Sequence, residues 1–180
     1  MPNWSYNTTE ITGDTETIAK FRTAIEATRD TTTFSDDEGY SLLRTFIPRP
    51  ESVEKDGTCY DWSLNHWGTK WEDDNRMDDT DRRILLIGQT AWAPPINGYM
   101  TVSTMFPTLT FTLGYQEESA AFVGAMTFRN GEVLAKREVD DSDPEMPAMG
   151  DEEDDWERWH MAVTNVYDKC WNEVSVAIHG

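Results

Sequence analysis

Apolar and polar positions alternate along this chain in two rhythms, and the rhythm changes at Gly, Pro and Asp. Residues 4–12, WSYNTTEIT, are rich in aromatic and β-branched types and predict a strand. Gly13 and Asp14 end it, and Asp14 caps a helix running to about Thr28 with Ile18, Phe21 and Ile25 on one face. The short apolar run 40–47, YSLLRTFI, is closed by Pro48 and Pro50 and predicts a second strand. Residues 51–82 mix Gly, Asp, Asn, Ser and Trp without a period and predict a long irregular loop, of a kind that is usually functional or partly disordered. The most apolar run, RILLIGQTAW over 83–92, predicts a central strand. Pro94 and Pro95 then suit the start of a short helix over 95–105.

The second half of the chain is more regular. Residues 108–115 alternate strictly, with Leu109, Phe111, Leu113 and Tyr115 on one face and Thr108, Thr110 and Thr112 on the other, which predicts a half-buried antiparallel strand. Residues 120–128 and 132–139 flank Asn130-Gly131, a strong hairpin signal. Over 152–177, Trp156, Trp159, Val163, Val166, Cys170 and Val174 recur at helical spacing, with Asp151 to Asp155 at the N-terminal end, where acids suit the helix dipole. The order is that of an α+β, ferredoxin-like split β-α-β plan, with a mainly antiparallel sheet, an added β-hairpin and a C-terminal helix. Three parts are expected: a domain over 1–138 carrying a Trp-rich loop 51–82, an acidic and mobile linker 139–150, and an amphipathic helix 151–180. That helix must bury its stripe on the sheet or on a second copy of the chain.

Composition adds charge to this picture. The chain has 180 residues, with 34 acidic and 15 basic side chains and a net charge of −19. Such a surface repels nucleic-acid phosphates and anionic lipid, and it attracts basic partners. No apolar run reaches the roughly 20 residues of a membrane span. The first residues show no basic region followed by an apolar stretch, so no signal peptide is expected. Cys59 and Cys170 are too few for a disulfide framework and suit a reducing compartment. From Glu138 to Glu157 stand eleven acids and no Lys or Arg. Asp140, Asp141, Asp143, Asp151, Glu152, Glu153, Asp154 and Asp155 are the candidate partner-binding residues in that segment. A second acidic cluster, from Glu72 to Asp81, is diluted by Arg76, Arg82 and Arg83.

Three tryptophans fall within ten residues at Trp62, Trp67 and Trp71, together with Asn65, His66, Gly68 and Lys70. Tryptophan buries much area at little entropy cost, so the segment reads as a plug that fixes an irregular loop to the core. The functional alternative is an exposed platform, formed by Trp62, Asn65, Trp67, Lys70 and Trp71, for a partner or a base.

The residues Met1-Pro2-Asn3-Trp4 with Asn7, Ile47-Pro48-Arg49-Pro50, Asn65-His66-Trp67-Gly68-Thr69-Lys70-Trp71, Thr90-Ala91-Trp92-Ala93-Pro94-Pro95 and Phe106-Pro107 resemble the pattern of the YubB-like proteins. Over roughly residues 1–130 the chain is similar to that family of phage and plasmid proteins with a ferredoxin-like domain. Where the family opens MPNWCxN, Ser5 stands in place of the cysteine. The resemblance implies a mobile-element origin and life in the cytoplasm of a host cell. It implies no catalytic residue.

The chemistry-bearing residues point the same way. There is no Gly-rich phosphate loop, GxSxG elbow or HExxH motif. Cys59, His66, His160 and Cys170 have the types for a zinc site, but Cys59 and His66 lack the usual short spacing, and Cys170 lies on an apolar helix stripe. Neither metal nor cofactor is expected, and the chain is not expected to be an enzyme. The expected function is binding and inhibition of a host protein, a defence or DNA-handling factor with a basic surface, through phosphate-mimicking carboxylates. The alternatives are an aromatic-platform binder of RNA or single strands, and a virion or structural protein. Homo-oligomerisation through the C-terminal helix stays open.

Overall fold

The computed structural model describes residues 3–27, 39–71, 74–148 and 155–177. Among them run β1 (Trp4–Thr12), α1 (Thr15–Glu26), α2 (Leu42–Phe46), α3 (Glu51–Lys55), α4 (Cys59–Trp67), β2 (Asp74–Thr80) and β3 (Arg83–Ala91). There follow α5 (Ile96–Met105), β4 (Thr110–Glu117), β5 (Phe122–Arg129), β6 (Glu132–Asp140) and α6 (Asp155–Val176). The strands form one sheet in the order β2-β3-β1-β4-β5-β6, every neighbouring pair antiparallel. Its first four strands are the split β-α-β arrangement: β3 and β4, joined through α5, flank β1, and β2 pairs outside β3. The hairpin β5-β6 extends the sheet beyond β4, and Asn130 and Gly131 both take positive φ at its turn.

Two expectations fail between residues 40 and 82. The run 40–47 is no strand: Tyr40 makes an isolated bridge to Asn75, and Leu42–Phe46 is helical. Ser41 decides this, because its hydroxyl accepts the Arg44 N–H and caps the turn, so that Leu42 and Leu43 both enter the core. The expected loop 51–82 instead holds α3, α4 and β2. Strand β2, reading DNRMDDT, has almost no apolar alternation because it is an edge strand, and the exposed Asp78 and Asp79 keep that edge in water. The ferredoxin-like plan holds, with β2 in the role expected of 40–47.

One face of the sheet carries the main core. Phe21 of α1 meets Phe46, Phe106 and Phe111 at ring separations of 5.0–5.9 Å. Trp67, Tyr99, Ile84, Leu86, Leu113 and Phe128 complete the cluster. Helix α5 presses close enough on α4 that a Cβ at Gly98 would collide with Leu43 and crowd the Trp67 backbone. The opposite face is covered by α6 across β4, β5 and β6, where Trp159, Val163, Cys170 and Val174 pack on Val123, Ala125 and Val139. Gly114 leaves the space that Tyr167 and Trp171 occupy. From Trp159 to Val174 the helix stripe is therefore buried within one chain. This cover also explains why β4 is buried on both faces, Thr110 and Thr112 included, rather than half-buried.

Within the expected linker 139–150, residues 139–148 are described, and they are tied to the sheet and to α6 rather than free. β6 continues through Asp140. Beyond it the Asp141 N–H donates to the Ala121 carbonyl, Met146 packs on the α6 clusters, and Trp159 Nε1 donates to the Pro147 carbonyl at 3.0 Å. Residues 151–154, with candidates Asp151, Glu152, Glu153 and Asp154, lie outside the described residues, and Asp155 opens α6. None of the described helices is long and apolar enough to cross a membrane.

Candidate functional site: an aromatic platform beside an acidic edge

Helix α4 divides the tryptophan segment. It stops at Gly68, whose φ of 81° takes the left-handed cap and lets its N–H reach the Leu64 and Ser63 carbonyls. Trp67 points inward and is fully buried, its indole N–H donating to the Ile47 carbonyl at 3.0 Å. The Arg49 guanidinium lies 4.4 Å above its ring and donates to Ser63 Oγ. Trp62, half-buried, stands edge-on to Trp67 at 5.4 Å and stacks on His66 at 4.2 Å. Asn65 faces solvent.

Past Gly68 the chain turns outward. Thr69, fully buried, donates its hydroxyl to the Ala91 carbonyl and holds the next two residues beside the end of β3. Lys70 then lies among three rings, its Nζ 4.6 Å from Trp92, 5.0 Å from Trp71 and 5.8 Å from Tyr60. Those rings are each 40–44% exposed. Trp71 is thus no part of a buried plug, although it packs on Trp4 at 5.8 Å. Trp92 has φ 71°, a backbone conformation that a bulky side chain adopts only when its surroundings impose it. Its N–H is held by the Asn3 carbonyl at 2.8 Å. A large ring kept exposed on a strained backbone is a feature of binding sites rather than of cores.

Beneath this platform a buried polar network uses residues singled out in the sequence. Ser5 Oγ donates to Asn7 Oδ1, the Asn7 amide donates to the Ser5 carbonyl and to Thr90 Oγ1, and Thr90 donates to the Ala93 carbonyl. The hydroxyl of Ser5 is therefore structural, fixing β1 to the β3 end that carries Trp92.

The acidic edge adjoins the same end of the sheet. A cleft of about 500 Å³ lies between α4, the start of α5 and the ends of β5 and β6. Leu64, Pro94, Ile96 and Phe122 line it, and Glu138 and Asp140 stand on its rim. Asp140 is exposed and accepts from the N–H and hydroxyl of Ser142, which hold its carboxyl below the ordinary range. Asp141 is exposed, and Asp143 accepts the Glu145 N–H. Among the described residues no cation pairs with Asp140, Asp141 or Asp143. Glu145 differs: Lys169 at 2.7 Å and Arg137 at 2.8 Å clamp it to α6 and hold its carboxyl low. Glu138 accepts from the buried Tyr115 hydroxyl at 2.6 Å, and burial followed by that bond pushes the phenol far above its usual range. Cys59 and His66 on α4 lie across the sheet from His160 and Cys170 on α6, so the four do not converge.

A family model described as the ferredoxin-like domain in Api92-like protein matches residues 66–162. The chain belongs to this Api92-like family. The matched span takes in every strand from β2 to β6 and ends inside α6, beyond the residue 130 limit of the sequence resemblance. A crystal structure of a protein api92 from Yersinia pseudotuberculosis is similar, with a TM-score of 0.59 and 10% sequence identity over 77% of this chain and 98% of that chain. At that identity the likeness bears on the fold alone. Among curated proteins none matches this Api92-like chain.

Tyr60 and Trp92 are the platform residues that sequence reading missed. The one signal was Trp92 itself, an aromatic directly before Pro-flanked turn residues.

Proposed function

We propose that this Api92-like protein is an interaction module that binds a host protein through its acidic edge, carboxylates standing in for phosphates on a basic partner. The observation that carries this reading is the rim of the cleft, where Asp140 meets an apolar floor and, with Asp141, has no neutralising cation among the described residues. A basic, partly apolar segment fits both parts: its cation on the rim and its aliphatic stem on the floor. Inhibition of a defence or DNA-handling factor, cytoplasmic location and kinship with the YubB-like phage and plasmid proteins belong to the same proposal. The test compares the parent with a variant carrying Asn or Gln at Asp140, Asp141, Asp143 and 151–155. Each is used to capture proteins from bacterial lysate, and the salt dependence of the captured complex is measured. The reading expects a basic partner lost from the neutralised protein, mainly through a slower on-rate. Equal rates and equal salt slopes for the two proteins reject it.

A second reading rests on a different observation, the three exposed rings around Lys70. A base could stack on Trp71 or Trp92 while Lys70 meets its phosphate. Retention of the parent on single-stranded DNA or RNA near 0.15 M salt, lost on Trp92→Ala, would favour this reading over the first.

A further inference from the structure

A second cleft, of about 520 Å³, opens at the other end of the sheet. It lies on the α6 face, where β1, β4 and β5 meet the last turn of the helix. Arg82, Arg83 and Arg129 converge on it with Thr110 and Ser175, and among the described residues Glu10 is the one carboxylate in the lining. In a chain with 15 basic residues against 34 acidic ones, three guanidiniums about one cleft reverse the local sign of the charge.

The details favour an anion. Arg129 is braced by Thr110, whose hydroxyl accepts from Nε at 3.0 Å and from Nη2 at 2.7 Å. Arg83 is shared loosely with Glu10 at 3.5 Å and Asp78 at 3.7 Å. Arg82 and Arg129 have no carboxylate partner among the described residues. Ser175 also lines the cleft, and its buried hydroxyl has no hydrogen-bond partner among the described residues. The unpaired acids of the other end are remote. Arg129 and Phe122 close opposite ends of β5, and Asp140 pairs with Phe122. At about 3.3 Å per residue that is roughly 23 Å, beyond a Debye length of about 8 Å in physiological salt.

We propose that this cleft binds the phosphate of a small phosphate monoester, of the class of a nucleoside monophosphate. Two unpaired guanidiniums match its charge of nearly −2, Arg forks suit its oxygens, and the volume is that of a small-molecule site. This site is independent of the acidic edge, and failure of either proposal leaves the other standing.

The test is calorimetric titration of the full chain with inorganic phosphate, adenosine monophosphate, adenosine and an oligonucleotide lacking a terminal phosphate. Phosphate and the monophosphate are expected to bind and compete, and adenosine to bind far more weakly. The double variant Arg82→Gln/Arg129→Gln should lose roughly tenfold or more in affinity while still melting cooperatively. Arg82→Gln alone, which leaves the bonds from Arg129 to Thr110 in place, should weaken binding with an unchanged melting curve. Glu10→Gln frees Arg83 and should tighten binding about threefold, a gain that a misfolded variant could not show. Four results overturn the proposal: no binding of phosphate or the monophosphate at millimolar concentration, equal binding of adenosine, unchanged affinity in the double variant, or oligonucleotide binding that phosphate does not displace.

Discussion

Trp67 and Trp71 are four residues apart and do opposite things. Trp67 ends α4 with its ring in the core and its indole N–H bonded. Trp71 follows the left-handed turn at Gly68 and stands 40% exposed against Trp4 and Lys70. The difference comes from one helix cap. Had α4 continued, residue 71 would share the face of residue 67, since positions i and i+4 lie one above the other. Stopping at Gly68 turns one aromatic segment into an anchor on the inside and a platform on the outside. Plug and platform are thus two ends of one stretch of chain.

The comparison breaks most sharply at the anchor. Trp67→Ala removes a fully buried ring and should cost about 3–5 kcal/mol in chemical denaturation. Trp71→Ala should cost under about 1 kcal/mol in the same assay, because its ring is already partly in water. A large loss for Trp71→Ala would show that the platform is also core. At Trp92 the question is strain. Glycine adopts φ 71° freely and alanine does not, so Trp92→Gly should be more stable than Trp92→Ala by roughly 1 kcal/mol, although glycine is the more flexible residue. The opposite order would mean that the left-handed backbone is imposed by the indole itself.

The same division runs through the acids and gives the smallest effect. Glu145 is held by Lys169 and Arg137, which keep its folded-state pKa depressed. Its stabilisation is therefore present above the ordinary carboxylate range and lost as the pH falls through the depressed value. Glu145→Gln should melt slightly below the parent at neutral pH and level with it in strong acid, whereas Asp141→Asn should leave melting unchanged. Melting curves across pH separate the two.

Much of the scaffold was legible because its elements have a clear rhythm. β1, β3, the meander of β4 to β6, and helices α1, α5 and α6 fall where alternation and helical spacing place them. The misreadings share a cause. YSLLRTFI is too short for its period to separate strand from helix, and the Ser41 cap that decides between them is a single hydroxyl. β2 was invisible because an edge strand needs little apolar alternation, and its acids read as loop. At the site, the inward turn of Trp67 agreed with the plug reading, and Lys70 and Trp71 were visible as neighbours. Tyr60 and Trp92 join them only through the fold. So do Arg82 and Arg129, 47 positions apart by their numbers, which no local pattern connects.

Cys170 gives the protein a built-in reporter. Its thiol is fully buried between α6 and the sheet, against Ala125 and Val139, and burial raises its pKa. A thiol in that state reacts with an alkylating reagent only when α6 lifts away, so the labelling rate measures the helix's opening equilibrium. Cys59, partly exposed on α4, should react without such an opening and serves as the reference within the same molecule. Mass-resolved labelling then times the motion of one helix in unmodified protein. A partner that grips α6 would slow the Cys170 reaction and leave that of Cys59 unchanged.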